Sequence, residues 1–207
     1  MTPHDYGGQM KKRLFVDTIM LSAVLLLLTG ANGHAVQPPP VGGDLPDFEL
    51  TIPSDANDNA YLNLPGGMIA FGRGAFKVPQ IKAPVVILQV FSMYCPHCQD
   101  DAPNVNALYR LIGNNPATKG KVKIIGIGAG NNPYEVGLFK KHYQIPFPLF
   151  PDANFSIHKK LGEVRTPYFI VIRIQPDGSH KVVYSHLASF GDPEQFLNTV
   201  IKLTNLK

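Results

Sequence analysis

The segment VVILQVFSMYCPHC, residues 85–98, decides which fold we expect for this chain. Its first half, Val85–Phe91, is almost entirely apolar and rich in β-branched residues, which is typical of a strand buried on both faces of a parallel or mixed sheet. Its second half ends in Cys95-Pro96-His97-Cys98, and the residues from Pro96 to Ile112 have the apolar spacing of a helix. The chain has only two cysteines, and both are therefore predicted at a strand-to-helix turn.

Two thiols separated by two residues at such a turn suit thiol–disulfide exchange, because the second thiol can attack the mixed disulfide that the first one forms. Cys95 should be the attacking cysteine, since the unpaired amides at a helix start favour a thiolate. Cys98, one turn inside the helix, should be the resolving cysteine. Of the two residues between them, Pro96 and His97, a protonated His97 would make the disulfide a stronger oxidant. The alternative for His97 is a solvent-facing residue.

Other uses of the cysteine pair fit the sequence poorly. A structural zinc site needs four ligands, and the chain has no further cysteine. The remaining candidate histidines have no paired metal spacing; they are His142, His158, His180 and His186. A structural disulfide that closes so small a loop would contribute little stability. We therefore expect neither a metal nor a cofactor.

Strands and helices are expected to alternate after the cysteine pair. The expected strands or extended segments are Val122–Ile127, Phe147–Phe150, Tyr168–Ile174 and Lys181–His186, and the expected helices are Pro133–Tyr143, Asn154–Leu161 and one that follows Asp192. The last two strands flank the turn sequence Gln175-Pro176-Asp177-Gly178 and should form a hairpin. Before the cysteine pair, Leu45–Ile52 is predicted to be a strand paired with Ala60–Leu64. The stretch from Pro65 to Pro84 shows no clean period and is predicted to be irregular.

Residues 1–35 have the organisation of an export signal, with a basic cluster at Lys11-Lys12-Arg13, an apolar segment from Leu14 to Leu28 and small residues before Ala35. Cleavage is expected after Ala35. An uncleaved anchor in the cytoplasmic membrane is the alternative, although the unbroken apolar stretch is short for a span of ~20 residues. The folded part should then lie in the periplasm, as a proline-rich linker, 36–41, and one domain, 42–207.

Composition limits the partners. The 207 residues are 44% apolar, which is enough for one domain with a sizeable core. The net charge is +4, and after residue 35 there is neither a basic run nor a basic helical stripe. Nucleic acid is therefore not expected as a partner, and a membrane is expected only through the N-terminal segment. We expect a monomer.

With these features the chain resembles the thioredoxin superfamily, and within it the exported TlpA/ResA-like thiol-disulfide oxidoreductases, which are related to the redoxin and AhpC-TSA proteins. The resemblance covers residues 42–207 and includes Pro103 in the first long helix and Thr166-Pro167 before the last hairpin. It implies the α/β thioredoxin fold: a central mixed sheet flanked by helices, with an N-terminal β-hairpin and an inserted strand–helix unit. It also implies that Pro167 is cis beside the dithiol and, with Thr166, binds the substrate main chain. An ordinary trans bond is the alternative.

Two positions near the dithiol concern proton transfer. Asp101 lies where many ResA-like proteins have a glutamate, so the resemblance implies that it tunes Cys98 or carries its proton. The alternative is an exposed acid that favours the helix dipole. Gln89 stands where thioredoxins have a buried acid, and an amide cannot titrate. Protons must then move through Asp101, water or the substrate.

Three functions are compatible with the sequence. The first is an exported oxidoreductase that exchanges disulfides with protein substrates, apocytochromes c among them, and with a redox partner protein. The second is a peroxiredoxin-like thiol peroxidase that uses Cys95 as its peroxidatic cysteine, Ser92 as its hydroxyl residue and Arg165 as its cation; the Cys-x-x-Cys spacing argues against it. The third is a non-enzymatic copper- or haem-handling module. The direction of exchange stays open, because Pro-His is the dipeptide of the oxidant DsbA whereas the resembled lineage commonly reduces.

Overall fold

A computed structural model describes residues 37–64 and 74–207. The predicted export signal, 1–35, and residues 65–73 of the stretch predicted to be irregular lie outside the described residues. Within the two described ranges, none of the helices combines the length and the apolar character needed to cross a membrane.

The described residues form seven strands and five α-helices. In chain order they are β1 (Leu50–Thr51), α1 (Ala56–Leu62), β2 (Ala75–Phe76), β3 (Val85–Phe91), α2 (Pro96–Asn114), β4 (Val122–Ala129), α3 (Pro133–His142), β5 (Leu149–Asp152), α4 (Ser156–Lys160), β6 (Tyr168–Ile174), β7 (His180–Leu187) and α5 (Pro193–Thr204). From β3 onward every predicted element is present, and its ends differ from the prediction by at most two residues.

Five of the strands form one mixed sheet in the order β5-β4-β3-β6-β7. The pairs β3–β4 and β4–β5 are parallel, whereas β6 runs antiparallel to both β3 and β7. All seven residues of β3 are buried, as expected for a central strand. This arrangement is the α/β architecture predicted from the sequence.

Alternate residues of β3 enter two different core clusters, because successive side chains of a strand point to opposite faces. Val86, Leu88 and Val90 belong to one cluster, which also contains buried residues of α1 and α4. Val85, Ile87 and Phe91 belong to the other, with residues of α2, α3 and α5. The sheet is thus covered on both faces by helices.

The register of β3 against β6 positions the site. Val90, near the end of β3, pairs with Tyr168, the first residue of the antiparallel strand β6. The turn that follows β3 therefore lies beside the residues that precede β6. This places Thr166-Pro167 next to the cysteine pair, although about seventy positions separate them along the chain.

The predicted pairing of the N-terminal strand is wrong. Ala60–Leu64 is not a strand; most of it belongs to α1, which Asp55 caps by accepting hydrogen bonds of 2.9 Å from the backbone N–H groups of Asn57 and Asp58. The side chain of Asp55 satisfies amides that would otherwise lack partners at the helix start. The segment read as a turn between two strands therefore starts a helix.

The partner of β1 is β2, which lies in the stretch predicted to be irregular. Leu50 pairs with Phe76 and Thr51 with Ala75 in an antiparallel ribbon. The strand predicted over Leu45–Ile52 is reduced to two residues, although its alternating apolar side chains are buried as expected. An N-terminal two-stranded ribbon is therefore present, but its strands are farther apart in the chain than predicted.

Candidate active site

The cysteine pair lies at the start of α2, where the sequence placed it. Cys95 is the N-cap residue, and its carbonyl oxygen accepts hydrogen bonds from the backbone N–H groups of Cys98 (3.0 Å) and Gln99 (3.2 Å). Pro96 is the first helical residue, a position where its missing N–H costs no helical hydrogen bond. Both cysteines are free thiols. Cys95 is partly exposed, whereas Cys98 is 0% exposed.

The surroundings of Cys95 favour its thiolate. Burial raises the pKa of this thiol, but hydrogen bonds from the Thr166 side chain, from the Cys98 thiol and from the backbone N–H groups of Cys98 and His97 outweigh it, so the pKa lies below its ordinary value. These amides lie in the first turn of α2, where the N–H groups point towards the N-cap residue. Cys95 thus has the properties of an attacking thiol.

The surroundings of Cys98 favour its thiol. Burial, and to a lesser degree the neighbouring Cys95, raise the pKa of Cys98 to about 12, although the backbone of Ser92 acts in the opposite direction. Cys98 therefore stays protonated at neutral pH until a base removes its proton. The two cysteines of one helical turn differ strongly in both access and acidity.

The residues before β6 touch the dithiol directly. The Cys95 thiol donates a hydrogen bond of 3.3 Å to the carbonyl oxygen of Thr166. The Thr166–Pro167 peptide bond is cis, the form that the resemblance implies. The carbonyl oxygen of Pro167 accepts a hydrogen bond of 2.9 Å from the backbone N–H of Ala188. Cys95, Thr166 and Pro167 are therefore brought together as expected.

Asp101 is buried rather than exposed, so the interpretation of this residue as a solvated first-turn acid is wrong. Its side chain is 3% exposed, and its Oδ1 accepts hydrogen bonds from the hydroxyl of Ser189 and from Nδ2 of Asn104 (3.3 Å). Burial raises the pKa of Asp101, and the two hydrogen bonds partly offset that rise. Its other oxygen, Oδ2, has no hydrogen-bond partner among the described residues. Asp101 therefore has one oxygen available for proton exchange.

A groove of about 470 Å³ runs past the cysteine pair. It is lined by residues of α2, of the segment before β6, of the end of β7 and of the segment that follows β7, among them His97, Asp101, Arg165, Thr166, Pro167 and Leu187. Neither cysteine lines the groove; the hydrogen bond between Cys95 and Thr166 connects them to it. His97 is exposed on the groove wall, whereas the exposed Pro96 lies outside it.

Sequence reasoning missed the residues that hold the turn between β3 and α2. The buried side chain of Asn131 accepts a hydrogen bond of 2.8 Å from the N–H of Met93, and Gln99 Nε2 donates one of 2.7 Å to the carbonyl oxygen of Met93. The hydroxyl of Tyr94 donates to Glu135 on α3. The polar pair at 131–132 before a proline is a helix-cap signal, but it gave no indication of this second role.

Two observations concern the other interpretations of the site. The Ser92 hydroxyl lies near Asn131 Nδ2 (3.5 Å) and the side chain of Arg165 is exposed. Among the described residues, the hydrogen bonds of the Cys95 thiol involve neither of these two side chains. In the two described ranges, no cluster of three or more His, Cys, Asp or Glu residues is arranged to bind a metal ion.

Gln89 is buried in β3, 3% exposed, between Gly126 and Phe169 of the adjacent strands.

Comparison with known proteins adds sequence and fold relationships. The AhpC/TSA family matches residues 41–182 of the chain. Proteins named thiol-disulfide oxidoreductase ResA, from Bacillus cereus and Bacillus thuringiensis, are 27% identical over 150 residues, which cover 72% of this chain and 78% of each relative.

Two solved structures have the same fold. A protein from Bacteroides thetaiotaomicron, described as a candidate protein disulfide isomerase, superposes with a TM-score of 0.57 at 20% identity and covers 81% of this chain and 90% of its own. The peroxidoxin BcpB from Mycobacterium tuberculosis superposes with a TM-score of 0.55 at 15% identity over 81% of this chain and 97% of its own. These likenesses confirm the predicted thioredoxin fold.

Proposed function

This chain belongs to the AhpC/TSA family, and we propose that it is a thiol-disulfide oxidoreductase in which Cys95 attacks protein substrates and Cys98 resolves the mixed disulfide. The observation that carries the proposal is the contrast between the two thiols. Cys95 is partly exposed and its pKa is lowered, whereas Cys98 is fully buried and its pKa is about 12. The name of the ResA relatives supports the same class of reaction.

Reduction of a substrate disulfide would proceed in two exchanges. The Cys95 thiolate attacks one substrate sulfur, a bond forms between the two sulfurs, and the other substrate sulfur leaves as a thiolate. Cys98 then loses its proton and attacks the sulfur of Cys95, which releases the second substrate thiolate and leaves the Cys95–Cys98 disulfide. Two electrons pass from the protein to the substrate. Oxidation of a dithiol substrate is the same sequence in reverse.

The second exchange needs a base, because a thiol with a pKa of about 12 is almost wholly protonated at neutral pH. We assign this role to Asp101, which lies three residues after Cys98 and hence on the same side of α2. Burial raises the pKa of this carboxyl, which brings its proton affinity closer to the working pH. Gln89, buried in the adjacent strand, cannot substitute for it.

We also propose that the substrate main chain binds along Thr166 and Pro167. The carbonyl oxygen of Thr166 is 3.3 Å from the sulfur of Cys95, so a chain that binds there would hold its own sulfur near the attacking atom. The groove beside these residues has room for neighbouring side chains of the substrate.

The location of the reaction is part of the proposal and comes from the sequence. The basic cluster and the apolar segment of residues 1–35 support export, either as a cleaved signal or as an anchor, and the domain of residues 42–207 would then act in the periplasm. Apocytochromes c as substrates, the redox partner protein and the monomeric state stay predictions.

Single-cysteine variants test the mechanism. The wild type should catalyse insulin reduction by dithiothreitol or the oxidation of reduced ribonuclease A. Cys95→Ser should abolish this activity, and Cys98→Ser should accumulate a mixed disulfide with the substrate. Ser179→Ala, in the turn between β6 and β7, is the control and should leave the activity unchanged. Activity retained by Cys95→Ser would refute the proposed mechanism.

Two further measurements separate the remaining alternatives. A reduction potential near ~−270 mV would assign the pair as a reductant and one near ~−120 mV as an oxidant. Hydrogen peroxide should oxidise the dithiol no faster than a free thiol. A rate far above that value would support the peroxiredoxin-like alternative instead.

A further inference from the structure

The segment between β7 and α5 makes an oriented contact with the buried acid of the site. The hydroxyl oxygen of Ser189 accepts a hydrogen bond of 3.2 Å from the backbone N–H of Gly191. Its single proton is donated to Oδ1 of Asp101. Ser189 is the donor in this contact because an ionised carboxylate can only accept, and the N–H of Gly191 occupies one of the acceptor positions of the hydroxyl oxygen.

The two oxygens of Asp101 therefore have different environments. Oδ1 accepts hydrogen bonds from both Ser189 and Asn104, whereas Oδ2 is buried and accepts none from the described residues. A proton that binds to the carboxyl is favoured on Oδ2, since protonation of Oδ1 would displace one of its two donors. The hydrogen bonds that Oδ1 accepts therefore leave Oδ2 as the oxygen of Asp101 that can exchange a proton.

The same segment also contacts Pro167, one of the two residues that we propose for substrate binding. Ala188, the residue before Ser189, donates its backbone N–H to the carbonyl oxygen of Pro167 (2.9 Å) and has a φ of 81°, in the left-handed region. Two successive residues therefore contact the two components of the site, the substrate-binding residues and the acid.

We propose that Ser189 is a positioning residue for proton transfer, which holds Asp101 so that Oδ2 receives the proton of Cys98. This inference rests on the proposed function. In the step concerned, the proton of Cys98 passes to Oδ2 while the sulfur of Cys98 bonds to that of Cys95. The bond between Cys95 and the substrate sulfur breaks, and the substrate leaves as a thiolate that takes up a proton from the solvent.

Other ionisable groups face the same groove and have to be held constant in a test. They are His97 and Asp100 on α2 and Arg165 before β6, together with Cys98 next to Asp101 on α2. The residues that β7 and the following segment contribute to the groove, Leu187 to Ser189, carry no charge. A substitution at Ser189 therefore changes a hydrogen bond to Asp101 without removing any charge from the groove.

The test follows the titration of Asp101 by carbon-13 NMR of its carboxyl in the dithiol protein, without substrate. Ser189→Ala removes a hydrogen bond that lowers the pKa of Asp101, so the titration should move to higher pH. Ser189→Thr keeps the hydroxyl and should titrate like the wild type. Ser185→Ala is the matched control on β7, because its hydroxyl pairs with Tyr168 and not with Asp101.

The second readout is the rate at which the mixed disulfide is resolved, measured across pH. Ser189→Ala should slow this step about two- to tenfold, the effect of one hydrogen bond, while Ser189→Thr and Ser185→Ala should retain the wild-type profile. The proposal is overturned if the Asp101 titration of Ser189→Ala coincides with that of the wild type, or if Ser189→Thr behaves like Ser189→Ala. A wild type that exchanges no disulfides would refute the proposed function, whereas the titration without substrate tests Ser189 separately.

Discussion

The difference in acidity between the two thiols makes a quantitative prediction for alkylation. With a pKa of about 12, Cys98 would be thiolate in about one molecule in 10⁵ at pH 7. A thiol with the ordinary value of 9.0 would be thiolate in about one molecule in 10². Cys98 should therefore react with iodoacetamide about a thousandfold more slowly than an unperturbed cysteine, and its complete burial should slow it further.

The assay uses the two single-cysteine variants at pH 7, with alkylation followed by mass spectrometry. In Cys95→Ser only Cys98 can react, and in Cys98→Ser only Cys95 can react. The folded Cys98→Ser protein should react faster than the same protein unfolded in urea, because the pKa of Cys95 is lowered by the fold. The folded Cys95→Ser protein should react far more slowly than its unfolded form.

The unfolded proteins are the internal control, since both cysteines should then react at similar rates. Equal rates for the two folded variants would refute the reasoning. The same conclusion would follow if Cys98 reacted in the folded protein as fast as in the unfolded one, because burial would then not suppress its thiolate.

Three further predictions concern substitutions of single residues. Asp101→Asn should lengthen the lifetime of the mixed disulfide, seen by rapid quenching, without slowing its formation; an unchanged lifetime would exclude Asp101 as the base. Burial lowers the pKa of Lys123 to about 8, so the unfolded chain binds more protons between pH 8 and 10.5 and the free energy of unfolding should rise over that range. Urea titrations should show a smaller rise in the free energy of unfolding for Lys123→Met. An equal rise would contradict the lowered pKa of Lys123. Gly130→Ala should destabilise the fold by about 2 kcal/mol in the same titrations, since φ is 68° and a methyl group would overlap the ring of Phe155, whereas Gly137→Ala, with open space around it, should not.

The part of the fold that the sequence predicts well is the part whose signals are local. β3, β6 and their neighbours are apolar runs bounded by turn residues, and each buries the side chains that its pattern indicates. The position of the cysteine pair follows from the same signals, because Cys95 and Cys98 come shortly after the end of β3. The contact of Thr166 with Cys95 was expected from the resemblance rather than from the pattern.

The errors arise where a contact between distant residues or a capping side chain decides the structure. From the sequence, Asp55 could belong to a turn or cap a helix. In the structure its side chain accepts hydrogen bonds from the backbone N–H groups of Asn57 and Asp58 and so caps α1. Asp101 carries no sequence mark of burial; it is covered by a segment that contains Ser189, 88 positions later in the chain. A two-residue strand such as β2 has no period from which it could be predicted.

The hydrogen bond between Cys95 and Thr166 links the ionisation of the Cys95 thiol to the binding of a substrate main chain. The carbonyl oxygen of Thr166 accepts a hydrogen bond from the thiol of Cys95, but the thiolate has no proton with which to donate one. Loss of the thiol proton leaves this carbonyl oxygen, which belongs to a residue that we propose for substrate binding, without that donor, and a main-chain N–H of an incoming polypeptide can replace it. Binding of the substrate and ionisation of Cys95 therefore promote each other, so that the affinity for an extended chain should increase with pH through the titration of this thiol.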